Sequence, residues 1–206
     1  ETKYPEGAEK MLIYALTGRE VPSGGLPFEV GVLVSNIATV IAIYEAVRLK
    51  KPLIDRVLTV SGSGIREAKN VRAPIGTPLE NIAEFCGGFT EETEKIVVGG
   101  PMMGIAIPSL DYSLAKGTSG LLFLSDQDFP EEGPCIRCGS CVEACPVFLM
   151  PLKLAAYAKA GRWEDAKKLN VFDCFECGAC AYRCPAYIKL TAWIKYAKNY
   201  IRVNKI

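Results

Sequence analysis

CIRCGSCVEACP, residues 135–146, and CFECGACAYRCP, residues 174–185, are one motif written twice. Cys135, Cys138, Cys141 and Cys145 lead into Pro146, and Cys174, Cys177, Cys180 and Cys184 lead into Pro185. Both runs read C-x-x-C-x-x-C-x-x-x-C-P. The second begins 39 residues after the first, and at the same offset Tyr157-Ala158-Lys159 is matched by Tyr196-Ala197-Lys198. This is an internal repeat of loop plus helix, with helices predicted over residues 151–160 and 190–200. Gly139 and Gly178 hold equal places in the two loops, where the missing Cβ lets the backbone come close to sulfur.

Three thiolates two residues apart can curl around one face of an iron–sulfur cubane. The fourth stands directly before a proline, which disfavours helix there and turns that side chain elsewhere. In two-cluster sites with this spacing the fourth cysteine serves the other cluster. The expected ligand sets are therefore Cys135, Cys138, Cys141 and Cys184 for one 4Fe-4S cluster, and Cys174, Cys177, Cys180 and Cys145 for the second. Other readings of the cysteines fit less well. Structural zinc takes four ligands with its C-x-x-C pairs set apart. A disulfide framework suits a small secreted chain, and no signal peptide is visible here. Thioredoxin-like C-x-x-C chemistry has no use for eight cysteines in two matched runs. The ninth, Cys86, sits in NIAEFCGG and reads as a small core residue.

Composition narrows the chemistry. The 206 residues carry a net charge of +1 with both signs interspersed, so nothing marks a nucleic-acid footprint. Half of the residues are apolar, enough for a core. There is no histidine, which removes Rieske and histidine–haem ligation, His-bearing zinc sites and a histidine general base. Whatever chemistry occurs belongs to cofactors, with the chain ligating and tuning them. Eight cluster thiolates also argue for a reducing compartment. The longest uncharged stretch, residues 30–44, is shorter than the ~18 apolar residues of a membrane helix, and Ser35 and Asn36 interrupt it. It reads as a buried strand over 30–35 turning into a helix over 36–49. No membrane-spanning segment is expected.

Elsewhere the pattern predicts a helix over 6–17 stopped by Gly18, a turn at PSGGLP (22–27), and a strand over 56–61 that completes a β-α-β unit with the preceding two elements. Between residues 53 and 88 short strands and a helix over 78–85 suggest a β-grasp. GGPMMG (99–104) reads as a tight turn with two buried methionines, and no phosphate loop is present by spacing. A strand over 120–124 follows. DQDFPEEGP (126–134) reads as an acidic linker. Helices are predicted over 151–160 and 163–169 between the cysteine runs. Ile136, Val142, Val147, Phe148, Phe175 and Ile188 are expected to keep water from the clusters.

With EKMLIYALTGREVPSGGLP (9–27), GGPMMG and the doubled cysteine motif in view, the chain resembles the C subunits of Rnf ion-translocating ferredoxin:NAD oxidoreductase complexes over essentially its whole length. The resemblance implies an α+β multidomain fold: residues 1–52 as the trailing part of an α/β FMN/NADH-binding domain, 53–99 as a β-grasp of the soluble-ligand-binding type, 100–130 as connection and linker, and 131–206 as a helical two-cluster ferredoxin domain. It implies a peripheral protein on the cytoplasmic side of the membrane, partnered by other subunits of a membrane redox complex. The family's glycine-rich flavin and nucleotide loop would lie before Glu1, so the chain is expected to be a fragment, with FMN and NADH bound only by the intact protein. The resemblance carries Glu9, Asn36 and Thr39 to the flavin pocket, although Gly7-Ala8-Glu9 and Asn36-Ile37-Ala38-Thr39 have alanine at two positions that are acidic in the related flavoprotein. Read from the residues alone, Glu9 is a first-turn helix charge and Asn36 a helix cap.

The expected activity is a relay of single electrons through two 4Fe-4S clusters, between an NADH/FMN site and membrane partner subunits. Two alternatives remain open at this stage: an iron–sulfur subunit of another oxidoreductase, and a ligand- or partner-binding module whose clusters are structural.

Overall fold

The computed structural model describes residues 3–125 and 130–206. Part of the expected acidic linker, residues 126–129, lies outside them. The chain divides into two compact units, Glu1–Val34 with Pro130–Ile206, and Ser35–Phe129.

The second unit is built on a mixed five-stranded sheet. Strands β1 (Asp55–Ser61) and β2 (Lys69–Pro74) pair antiparallel, with Leu58 opposite Val71. Strands β3 (Thr93–Val98) and β4 (Ile105–Ile107) form a hairpin around Gly99–Gly104. Strand β5 (Gly120–Ser125) enters the middle, parallel to β1 and antiparallel to β3, giving the order β2-β1-β5-β3-β4. The period-two alternation of each strand sends Leu58 and Val60, Val71 and Ala73, and Leu121 and Phe123 into one core, where helix α3 (Leu79–Phe85) adds Leu79, Ile82 and Ala83. Cys86 is fully buried in the same core, in agreement with its sequence reading. Just beyond β1 the backbone passes over β5 so closely that only glycine fits. A Cβ at Gly62, whose φ is +117°, would stand 2.0 Å from the Phe123 carbonyl oxygen.

Helix α2 (Ile37–Leu49) also belongs to this unit, and the Asn36 side chain caps it by accepting from the Ala38 N–H at 2.9 Å. Two expectations fail beside it. Residues 27–30 form a 3-10 turn and 31–36 are irregular, so there is no strand at 30–35 and no β-α-β unit. Nor is the segment buried: no side chain of α2 is buried, and Val40, Ile41, Tyr44 and Val47 are exposed. An apolar run satisfies the period of a strand, but without a neighbouring strand its backbone has no ladder to join. The methionines of GGPMMG are likewise not buried, with Met103 53% exposed, because the hairpin tip they occupy projects past the sheet.

The first unit begins with α1 (Glu9–Thr17), ended by Gly18 in the left-handed conformation. Its larger part is helical and shows the repeat in three dimensions. The short helices α4 (Ser140–Glu143) and α7 (Ala179–Tyr182) follow Gly139 and Gly178, whose φ values are +81° and +83°. Helices α5 (Pro151–Lys159) and α8 (Leu190–Asn204) then pack together, with α6 (Trp163–Lys168) between them in sequence. On α8 the spacing of Ile194, Ala197 and Ile201 makes one apolar stripe, which meets Leu154 and Ala158 of α5. The matched alanines Ala158 and Ala197 let the two helices approach. Fully burying a leucine such as Leu154 contributes about 1.5–3 kcal/mol.

Candidate metal centre

Each cysteine run is a short left-handed twist followed by a turn of helix. Arg137 and Glu176, the residues before the second cysteines, have φ values of +56° and +62°, and the glycines after those cysteines continue the same twist. Side chains rarely adopt this region without a compensating interaction. Here it turns the backbone amides inward. The Arg137 N–H reaches the Cys135 Sγ at 3.4 Å, and the Glu176 N–H reaches the Cys174 Sγ at 3.4 Å. The Leu149 N–H reaches the Cys145 Sγ at 3.3 Å. The Glu176 amide favours the thiolate form of Cys174.

The cysteines gather into two cavities. One is lined by Cys135, Cys138, Cys141 and Cys184, together with Leu152, Ile188 and Leu190. The other is lined by Cys145, Cys174, Cys177 and Cys180, together with Leu149, Thr191 and Ile194. In each, three sulfurs come from one run and the fourth from the other. The two cavities are alike in size. All nine cysteines are free thiols. Among the described residues no three metal-binding side chains converge on a single ion. Four thiols spread around an apolar hollow suit a multi-iron cube better than a zinc ion, whose sulfurs crowd to ~2.3 Å from one centre.

Electrostatics sets the thiols apart. Burial pushes Cys174 up to about 11, against the pull of the Glu176 N–H and the charge of Lys198. Burial also raises Cys141 and Cys180, and hydrogen bonding from Leu152 and Thr191 respectively opposes it. Cys138 is held below its ordinary value by the Ser140 hydroxyl and amide. Among the like charges, Cys184 acts on Cys141, and Cys145 acts on both Cys174 and Cys180. Buried thiols of this kind stay protonated until a metal displaces the proton.

The expected apolar shield is only half present. Ile188 is buried and Val147 and Phe175 are partly covered, but Ile136 is 66% and Phe148 91% exposed, and Val142 is exposed as well. Phe148 and Tyr187 hold equal places in the repeat with φ values of +53° and +54°, a twist that swings both rings outward. Ile136 and Ile188 line the first cavity and Val147 and Phe175 the second, joined by Leu149, by Leu152 of α5 and by Leu190 and Ile194 of α8.

Sequence reasoning misses three side chains that bind on or beside the second cysteine run. Tyr4 Oη donates to the Cys177 carbonyl oxygen at 2.5 Å, and Ser23 Oγ donates to the Asp173 carboxylate at 2.7 Å. Lys198 Nζ donates to the Cys174 carbonyl oxygen at 2.6 Å and to Glu176 Oε1 at 2.5 Å. The Tyr-Ala-Lys repeat marks Lys198 as a matched residue without giving it a role. Nothing in the sequence near Tyr4 or Ser23 announces a partner more than 140 residues away.

Of the three expected flavin-pocket residues, Glu9 is exposed at the start of α1 in the first unit. Asn36 and Thr39 stand at the cap and on the first turn of α2 in the second unit. None of them lines either cysteine cavity.

Three family descriptions match successive parts of the chain: a Nuo51 FMN-binding domain over residues 1–45, an SLBB domain over 57–106 and a 4Fe-4S dicluster domain over 133–192. Among curated proteins, the C subunit of the proton-translocating ferredoxin:NAD(+) oxidoreductase complex of Clostridium ljungdahlii is 53% identical over 96% of this chain and 44% of its own length. The C subunit of the Na(+)-translocating ferredoxin:NAD(+) oxidoreductase complex of Acetobacterium woodii is 46% identical over 97% of this chain and 46% of its own. The C subunit of the ion-translocating oxidoreductase complex of Rhodobacter capsulatus is 48% identical over 82% of this chain and 33% of its own. The chain thus spans less than half the length of these relatives.

Proposed function

Because the chain is homologous over nearly all of its residues to the C subunits of ion-translocating oxidoreductase complexes, we propose that it is an electron-relay segment of such a protein. The single observation that carries this reading is the pair of four-cysteine cavities. Cys135, Cys138, Cys141 and Cys184 hold one 4Fe-4S cluster, and Cys174, Cys177, Cys180 and Cys145 hold the other. Each bound cluster supplies a one-electron redox couple. The chain supplies the rest: inward amides that reach sulfur, helices α5 and α8 that exclude water, and a crossed ligand set that ties the two sites into one rigid body.

The same reading assigns the parts on either side. Residues 1–52 are the trailing part of an FMN/NADH-binding domain, and Glu9, Asn36 and Thr39 approach the flavin once the longer protein completes that domain. Residues 53–99 begin a β-grasp of the soluble-ligand-binding type, residues 100–130 carry its last strand into the linker, and 131–206 form the helical ferredoxin domain. In the longer protein, electrons would pass between NADH, through FMN, and the membrane partner subunits that move ions. The chain would lie peripherally on the cytoplasmic face. Among the described residues no helix is long and apolar enough to cross a membrane.

The test is reversible redox chemistry on the anaerobically reconstituted chain. It should take up about two electrons from dithionite, one per cluster, and return them singly to a one-electron acceptor. A chain with its full iron that neither accepts nor returns electrons would instead be a binding module with structural clusters.

A further inference from the structure

The repeat makes each half of the cluster unit a control for the other. Lys159 on α5 stands where Lys198 stands on α8, and Arg137 in the first loop stands where Glu176 stands in the second. The loop backbones agree, yet the charges at these two loop positions do not. Lys159 is well exposed, pairs with Glu132 and lies 5.3 Å from the centre of the Trp193 ring. Arg137 carries the charge opposite to that of Glu176, so the first loop has no carboxylate to offer Lys159 at that position. Lys198 is the charged side chain that is buried among the described residues, at 5% exposure. Its ammonium is held by the Cys174 carbonyl oxygen and the Glu176 carboxylate, within the loop that supplies three of the second site's sulfurs.

A buried ammonium costs several kcal/mol unless it is paired and hydrogen-bonded, and replacing such a pair by apolar groups is often neutral or stabilising. Anchoring of the loop alone would therefore not require a buried charge there, and the first loop is held without one, since Lys159 is exposed. We propose that Lys198 and Glu176 form a fixed electrostatic pair that sets the reduction potential of the cluster held by Cys145, Cys174, Cys177 and Cys180, making the two clusters of the relay inequivalent. This inference rests on the cluster reading above. Reduction adds one electron and one unit of negative charge to the cluster, with no bond made or broken. A nearby ammonium stabilises the reduced form, and a nearby carboxylate opposes it. Because Lys198 is shut away from solvent and doubly hydrogen-bonded, it can neither swing away nor be screened efficiently by salt. The carboxylate that neutralises it hangs from the residue whose N–H already points at the Cys174 sulfur, so pair and amide act as one rigid piece.

The experiment is an anaerobic redox titration of the reconstituted full chain, each cluster followed by low-temperature EPR, on wild type, K198M, E176Q, K198M/E176Q and K159M. K198M should lower the potential of one cluster and E176Q should raise that of the same cluster. Each should change its reduced-to-oxidised ratio at fixed potential by roughly tenfold, ~59 mV for a one-electron couple. The double variant should fall between them, and the other cluster should stay put in all three. K159M should move neither cluster comparably. If K198M fails to retain the cluster, K198R restores the charge and should restore both cluster and potential, while E176Q still reports the upward shift. Shifts of the same sign in K198M and E176Q, or none in a fully loaded E176Q, overturn the proposal and leave the relay standing. A wild-type chain without two EPR-active clusters overturns both.

Discussion

At the scale of single residues, the doubled cysteine run is legible because ligation by C-x-x-C-x-x-C is local: the spacing itself bends the loop. The proline after each run also leads the sequence to expect that the fourth sulfur crosses to the other site. Cys145 lies on the cavity of Cys174, Cys177 and Cys180, and Cys184 on that of Cys135, Cys138 and Cys141. Replacing Cys145 by serine should therefore remove the cluster distant in sequence and spare the adjacent one. Iron should fall to about four per chain, and the surviving EPR signal should be lost only when Cys184 is also replaced. The side chains around the sulfurs are harder to read. Phe148 and Ile136 look like shielding residues by type, but a left-handed backbone turns Phe148 out, and no hydropathy pattern reveals the sign of φ. Truncating Ile194, which is 1% exposed between α5 and the second cavity, should cost about 2–5 kcal/mol as Ile194→Ala, seen as a lowered thermal midpoint of the cluster unit.

At the scale of elements, helices and short strands with clear periods emerge from the sequence: α3, α5, β1 and β5 lie within a residue of where periodicity puts them, and α8 starts where expected but runs four residues past its predicted end. The false strand at 30–35 and the exposed α2 mark the limit of that signal, since periodicity states which residues could be buried and not whether anything covers them. The central place of β5 is also out of reach, because a parallel pairing of Val60 with Leu121 is a contact between distant parts of the chain. That pairing depends on the crossing at Gly62. Gly62→Ala should force Phe123 away and destabilise the sheet unit, with a loss of its cooperative unfolding transition while visible cluster absorbance persists. A second element-scale expectation concerns acid. Asp55, at the start of β1, is held below its ordinary 3.8, first by the Arg72 hydrogen bond and then by the charges of Arg72 and Lys51. Its folded value is depressed, so its contribution is present above about pH 4 and is lost as the pH falls toward the folded value. Asp55→Asn should lower the sheet unit's stability modestly at neutral pH, where the contribution is present, and converge with the wild type in acid, flattening the pH dependence below about pH 4.

At the scale of the molecule, the two units draw on different sources of stability. The sheet unit has a continuous apolar core running from Leu58 to Phe123. The cluster unit divides its buried residues between two smaller groups, each of which includes ligand cysteines. Metal binding there is coupled to folding, since a buried thiol such as Cys174 must exchange its proton for iron. Chelating the iron should consequently unfold the helical unit and leave the sheet unit intact, which far-ultraviolet circular dichroism would register as a loss of helix with strand signal retained. The most direct test of the account is the iron and acid-labile sulfide content of the anaerobically reconstituted chain, measured with low-temperature EPR of the dithionite-reduced sample. About eight irons, about eight sulfides and two magnetically interacting 4Fe-4S centres per chain are expected. A folded, colourless protein carrying zinc, or one whose cysteines are joined as disulfides, would contradict it.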